Sequence, residues 1–498
     1  MTSAAAPRHT LAVGDAIANL IDRSSPRAAL ALVIAAVVAV MLVAPIGYLG
    51  GGNDDTHYLL AARCWAAHGA CLPHDHWSSR WPLVAPLALV TRLLGESRAT
   101  VGLVPLAYWA AGIGLLGWLG RLWFDRATGL VAALLLGALP IYTAAALQPW
   151  IDSVELAWQL AALVAASFAY QRRSRAIAIL AGALAGLAFE ARDTSILFLG
   201  ASALGWLALD PARRRVLLWA VSGLAAAVGA EMLAYALATG DPLYRYALSL
   251  HHAAIPSAEL PPGFDTRQSP MFNPAYIAAW RREAGVEIWW PIDPWLNLVA
   301  SRRIGWLLGA ALLLALAYRD RLEPEARRKL MWITGLALLV SVALVYVLAV
   351  DPKPRMFLDL ASAAALVAAA CVVAAWHSGA RLLPGAVVAM LVALAVMVEL
   401  RTAQFARGEA KAARWIAQAP DAIETDPATR SALLLVPGID RVGAVGSGRR
   451  LRLAVATEGC AALAKTASVA LVDHVGAAIG PPADLCLFEY VDPSVERR

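Results

Sequence analysis

Asp54 and Asp55 follow "GGGN" and open the stretch "DDTHYLLAARCWAAH", an adjacent pair of carboxylates with the chemistry of a base. A carboxylate within hydrogen-bond reach of a hydroxyl can take its proton as the oxygen attacks an electrophile. Farther along stand the cations Arg80, Arg192, Arg245, Lys353 and Arg355, together with Asp152, Glu155, Asp193, His251 and His252. Arginine offers a planar fork of donors that matches phosphate oxygens in pairs. One base and several such cations are the inventory for displacing a phosphate by a hydroxyl. No general acid is required, because the phosphate leaves as an anion held by positive groups.

Each candidate has a structural alternative. Asp54 and Asp55 would serve equally as a cap where the glycines end one helix and turn the backbone into the next. Asp152 and Glu155, three residues apart in "QPWIDSVELAW", share one face near a helix N-terminus, where the dipole favours carboxylates. Arg192 beside Glu190 and Asp193 would make a mutually neutralised turn, and Lys353 and Arg355 would reach lipid headgroups. His57, His74, Asp75 and His76 have the types of a divalent-ion site and equally those of an exposed loop. No cofactor is expected, and no zinc-type cysteine spacing is present.

The elements that must position these residues are membrane helices. The chain has 498 residues, 60% hydrophobic and only 16% charged, with mean hydropathy +0.61, which excludes an ordinary soluble domain. A span needs roughly 20 apolar residues. Such runs lie at about 28–49, 101–120, 127–146, 154–170, 176–190, 194–209, 216–238, 303–318, 330–350, 356–376 and 382–400, so an all-α polytopic protein of about eleven spans is expected. The first run is read as a retained helix rather than a cleaved signal.

Lys and Arg concentrate in cytoplasmic turns. With residues 1–27 inside, the basic segments 121–126, "QRRSR" at 171–175, "DPARRR" at 210–215, "YRDRLEPEARRK" at 318–329 and "HSGAR" at 377–381 all fall inside as well. The outer face then receives the long loops 50–100 and 239–302 and the tail 401–498, and every candidate named above falls on that face. The formal charge of +6 is therefore topological, and no nucleic-acid partner is expected. The transmembrane domain is expected over 28–400. In the tail, an amphipathic helix from 401 and short apolar runs at 432–436, 451–456 and 468–472 read as a small α/β domain. Its "GAVGSG" lacks the strand and helix context of a dinucleotide site. Cys64 with Cys71 and Cys460 with Cys486 would form two disulfides outside, or stay as small packed thiols.

Asp54, then Tyr58, a short Ala-rich helix ending at Gly69, and Trp81-Pro82 form a pattern that resembles the first extracytoplasmic loop of the GT-C glycosyltransferases. That group includes the protein O-mannosyltransferases and the lipid A aminoarabinose transferases. "LAGALAGLAFEARDTSILFLGASALGWL" at 180–207 is similar to the family's Gly/Ala-rich helix that reaches an Arg-acid pair. "DPLYRYALSLHH" at 241–252 and "DPKPRMFLDL" at 351–360 are weaker likenesses. Asp55 departs from the pattern, since many members carry Glu there.

The resemblance implies an inverting membrane glycosyltransferase of the bacterial inner membrane, taking a sugar from a polyprenyl-phosphate donor to an acceptor hydroxyl at the outer surface. It implies catalysis at Asp54 and Asp55, donor phosphate on Arg192, Arg355, Arg245 and Lys353, and substrate contacts from Tyr58, Arg80, Asp152, Glu155 and His251. The alternative is a transporter or flippase of lipid-linked saccharide, which would place its charges near the bilayer midplane and show repeats. Here the charges crowd one face and no repeat is evident.

Overall fold

The computed structural model describes residues 54–252, 274, 285–348, 353–380, 382–445, 451–456, 459–467, 469–479 and 483–489. The expected first span at 28–49 and about half of the second long loop, residues 253–273 and 275–284, lie outside the described residues. Helix α1, Asp54–His68, carries two carboxylates in its first turn and a histidine in its last, both matched to the helix dipole. Gly69, with φ +82°, ends it in the left-handed conformation that glycine adopts without cost. Helix α2, Trp81–Leu94, begins with Pro82 in its first turn, where the missing N–H costs nothing. Helix α3, Arg98–Trp123, starts at a capping box between Ser97 and Thr100.

The run expected as one span at 127–146 is two helices, α4 (Arg126–Gly137) and α5 (Pro140–Leu147), whose axes differ by 70°. Pro140 explains the break, since it lacks an N–H and its ring collides with the preceding turn. Next come α6 (Ile151–Arg172), α7 (Arg175–Ala191), α8 (Ser195–Leu209), α9 (Arg214–Thr239) and α10 (Tyr244–His252). Beyond residue 285 follow α11 (Asp293–Ala300), α12 (Gly305–Tyr318), α13 (Pro324–Val342), α14 (Leu358–His377) and α15 (Leu382–Gln418).

Among the described residues, five helices are long and apolar enough to cross a membrane: α3, α6, α9, α13 and α14, three of them with short flanking turns. The bent pairs α4–α5 and α11–α12 raise the number to seven, and α2 and α8 are shorter apolar helices. The protein is thus a mostly helical, multi-pass membrane protein.

Nearly every side chain of α14 is buried, which makes it the central helix of a core shared with α3, α4, α6 and α12. Helices α7 and α9 cross at van der Waals contact of their backbones. A Cβ on Gly182 would lie 1.7 Å from the Ala220 carbonyl oxygen, and one on Gly223 would lie 1.9 Å from that of Ile179. Small residues at such a crossing are how apolar helices pack without a hydrophobic driving force between them.

The tail forms a five-stranded sheet from β1 (Ile423–Thr425), β2 (Gly443–Ala444), β3 (Leu451–Ala456), β4 (Ala470–Ile479) and β5 (Ala483–Glu489) in the order β2-β1-β3-β5-β4. β1 runs parallel to β2 and β3, while β5 is antiparallel to β3 and β4. Helices α16 (Pro427–Ala432) and α17 (Cys460–Ala467) complete it. Helix α15 enters this domain without a break, and Asp473 of β4 accepts hydrogen bonds from Lys411 Nζ (2.6 Å) and Trp415 Nε1 (3.2 Å). Both cysteine pairs, Cys64–Cys71 and Cys460–Cys486, are joined as disulfides, and Cys371 is buried.

Candidate active site

Asp54 opens α1 and meets Arg355, 301 residues away, just before α14: Arg355 Nη2 donates to Asp54 Oδ2 at 3.1 Å. The guanidinium of Arg355 also lies over the Trp150 ring, 5.3 Å from its centre, where Trp150 precedes α6. Its Nε is buried and has no hydrogen-bond partner among the described residues. Asp54 is partly open, its side chain 23% exposed. Burial alone would raise its carboxyl pKa, but the cations Arg355, Arg80, Arg192 and Lys353 outweigh burial and hold it below the ordinary value. Its neighbour Asp55 is fully buried, and Oδ1 accepts from Thr56 N at 3.0 Å.

Tyr58, one turn along α1, is also fully buried and accepts a hydrogen bond from Arg80 Nη1. Burial, partly countered by Arg80, raises the phenol pKa, so Tyr58 stays protonated. Arg192 follows the C-terminus of α7 and spans two acids of α6, donating through Nη2 to Asp152 Oδ1 and through Nη1 to Glu155 Oε2, each at 2.8 Å. Ser195 Oγ (2.7 Å) and Gln159 Nε2 (3.3 Å) donate to the other oxygen of Glu155. Asp359, in the first turn of α14, lies within electrostatic range of Glu155 and bonds Gln159. Lys353 is exposed and contributes to the positive field at Asp54.

The fold therefore brings Asp54, Tyr58, Arg80, Asp152, Glu155, Arg192 and Arg355 to one end of the bundle. Arg245 stands in a separate cluster. It is 2% exposed and pairs with Glu190, with Asp193 at 2.8 Å and with Glu231 at 3.2 Å, and its Nη2 donates to the carbonyls of Phe189 and Glu190. His251 lies on α10, and its side chain is outside those described. Asp359 and Glu231 were not singled out from the sequence. The readable signal was an acid within an otherwise apolar run, which is costly unless it has a purpose.

The possible divalent-ion residues are engaged with one another. Asp75 accepts from His57 Nδ1 at 2.7 Å and from Ser78 N at 2.6 Å, while His74 Nε2 stands 3.4 Å away and the His76 ring leans on Trp77. The Asp75 contact raises the pKa of His57, although burial opposes it. Among the described residues no group of three or more His, Cys, Asp or Glu is arranged to hold a metal ion.

Residues 80–237 match the family model described as dolichyl-phosphate-mannose-protein mannosyltransferase. The matched segment contains Arg80, Asp152, Glu155 and Arg192 and leaves Asp54 and Arg355 outside. No curated protein matches the chain. ArnT from Cupriavidus metallidurans, solved bound to undecaprenyl phosphate, superposes with a TM-score of 0.52 at 16% identity, covering 92% of this chain and 97% of ArnT. The oligosaccharyltransferase of Archaeoglobus fulgidus, solved with Zn and sulfate, superposes with a TM-score of 0.52 at 14% identity over 82% of this chain. This chain spans 61% of the archaeal enzyme's length. At these identities the likeness is one of fold. The expected resemblance is thereby borne out: residues 80–237 match the mannosyltransferase family model, and the chain as a whole shares its fold with ArnT and the archaeal oligosaccharyltransferase.

Proposed function

We propose that this protein moves a sugar from a polyprenyl-phosphate donor to an acceptor hydroxyl at the extracytoplasmic face of a bacterial inner membrane, with inversion and with Asp54 as base. The observation that carries the reading is the Asp54–Arg355 pair, in which a partly open carboxylate lies beside a guanidinium whose buried Nε has no partner among the described residues. Arg355 would take the donor phosphate through that free edge, with Lys353 and Arg80 adding positive charge around it. Asp54 would lie where a hydroxyl attacking the anomeric carbon sheds its proton, and the departing phosphate would stay bound to the cations.

Arg192 already serves two carboxylates, so its contribution to phosphate binding would be mainly through its field. Its two hydrogen bonds also hold Asp152 and Glu155 in place to meet sugar hydroxyls. Arg245 would hold α10 against α7 and α9 at the margin of the site. The likeness to ArnT supports the donor class, since ArnT was solved with undecaprenyl phosphate bound. The full topology in this reading is eleven spans, with the N-terminus inside and residues 401–498 outside.

The test is a transfer assay with purified protein and radiolabelled polyprenyl-phosphate sugars, run with and without chelator to read any requirement for a divalent cation. Label passing to an acceptor in an Asp54-dependent manner supports the reading. Movement of intact lipid-linked saccharide between leaflets, with no transfer, would replace it with the transporter reading.

A further inference from the structure

At the end of the bundle opposite Asp54, a cavity of about 200 Å³ opens between α3, α6, α8, α13 and α14. Its wall is apolar. Gly205 lets α8 close on α13 beside it, since a Cβ there would stand 2.2 Å from Leu336 Cδ1. Its rim is cationic. Arg213 and Lys329 line it from the basic turns that precede α9 and open α13.

Arg213 is held in place there, its guanidinium 5.0 Å from the Trp206 ring and 5.2 Å from the Tyr170 ring. Its nearest acid, Asp210, is 3.8 Å away and is engaged by the Tyr170 hydroxyl, so Arg213 Nε is buried with no hydrogen-bond partner among the described residues. Lys329 Nζ is fixed 3.0 Å from the Trp123 carbonyl and 2.7 Å from Glu325 Oε1, whose side chain is largely exposed. An apolar slot under two oriented cations, on the side where Arg172, Arg173, Arg214, Arg215, Arg327 and Arg328 also lie, complements one kind of ligand.

We infer that this cavity binds an anionic glycerophospholipid of the leaflet at the basic turns, with an acyl chain in the slot and its phosphate on Arg213 and Lys329. The site is distinct from the proposed donor site. Its deepest part on α14 is Ser362 and Leu366, and Ser362 lies seven residues from Arg355, on the order of 10 Å along the helix. The inference does not rest on the proposed reaction. It needs only that a bilayer surrounds the bundle and that the basic turns stand at its headgroup level, where each cation favours an anionic lipid about fivefold.

The experiment is native mass spectrometry of the delipidated full chain, titrated with phosphatidylglycerol and with phosphatidylcholine of the same acyl chains. The wild type should retain phosphatidylglycerol at least about fivefold better, Arg213→Ala should reduce that preference about fivefold, and Ser202→Leu, in the cavity wall, should reduce retention of both lipids. Should Ser202→Leu fail to fold, Ser202→Val narrows the same slot with less added volume. Equal retention of the two lipids by the wild type, or an unchanged preference in Arg213→Ala, overturns the inference. So does stoichiometric displacement of phosphatidylglycerol by undecaprenyl phosphate, which would make the cavity the lower end of the donor's path.

Discussion

Asp54 and Asp55 are neighbours in sequence and opposites in environment. Asp55 turns into the protein and is fully buried, whereas Asp54 faces Arg355 and is partly open. A base must reach its proton, so Asp54→Asn is expected to abolish transfer while leaving donor binding intact, and Asp55→Asn to reduce thermal stability with a modest effect on turnover. Transfer rate and donor binding, measured separately on the purified variants, check this. Normal turnover in Asp54→Asn with loss in Asp55→Asn would reverse the assignment, and normal turnover in both would remove this loop from catalysis.

The sign of the Asp54 shift adds a second expectation. Burial pushes its pKa up, but Arg355, Arg80, Arg192 and Lys353 more than compensate, so the folded value lies below the unfolded one. The ionised form is then fully present above the unfolded value of about 4 and is lost only as pH falls through the lowered folded value. The acid limb of kcat/KM should therefore lie below about pH 4. Removing the strongest of those cations with Arg355→Ala should shift the limb upward and weaken donor binding by a few kcal/mol, roughly the worth of a charge-assisted contact. Lysine should rescue only partly, because it lacks the fork. An unchanged limb together with wild-type donor affinity in Arg355→Ala would assign this arginine to headgroups.

The elements place these residues through contacts that the sequence does not announce. Helix type and rough extent were legible for α3, α6, α9, α13 and α14, because each is a long apolar run with basic residues at one end. The break at Pro140 was signalled by the proline itself, yet hydropathy alone joined its two sides. The pairing of Arg192 with Asp152 and Glu155 links residues 40 and 37 apart, and Arg355 reaches back 301 residues to Asp54. Periodicity carries no information on such distances. Candidate residues could therefore be named from type and membrane level, but not their partners.

Arg245 shows the difference. Its type suggested phosphate, while its position on α10 makes it the counter-ion of Glu190, Asp193 and Glu231. Arg245→Met should strip charge compensation from buried acids and cost about 3–5 kcal/mol of stability, read as a fall in melting temperature in detergent. Gly182→Leu should be equally damaging at the α7–α9 crossing, because its side chain has nowhere to go but into the Ala220 carbonyl. It should lower donor binding as well, since α7 ends at Arg192. A Gly182→Leu protein with wild-type melting and wild-type donor affinity would show that the crossing does not hold the site.

On the scale of the whole molecule, the tail domain and Asp54 share one end. Arg98 at the start of α3 bonds Glu409 of α15 at 2.8 Å, Arg63 of α1 reaches the Leu434 carbonyl, and Leu434 and Leu435 pack against the cluster that contains Tyr58. The basic turns, including Arg213 and Lys329, stand at the opposite ends of the same helices, as the ion-pair partners along α6 and α14 require. If those turns face the cytoplasm, as their charge demands, the tail and the site must face away from it. Two single cysteines test this in a chain whose other cysteines are paired or buried. Val472→Cys lies on the exposed side of β4, and Glu325→Cys lies on the exposed first turn of α13. In sealed, right-side-out vesicles a membrane-impermeant maleimide should label position 472 and leave 325 unlabelled until the membrane is opened. Labelling of both from outside, or of 325 alone, would mean that the carboxylate of Asp54 and the sheet of the tail do not lie on the outer face, and the extracytoplasmic reaction would have to be abandoned.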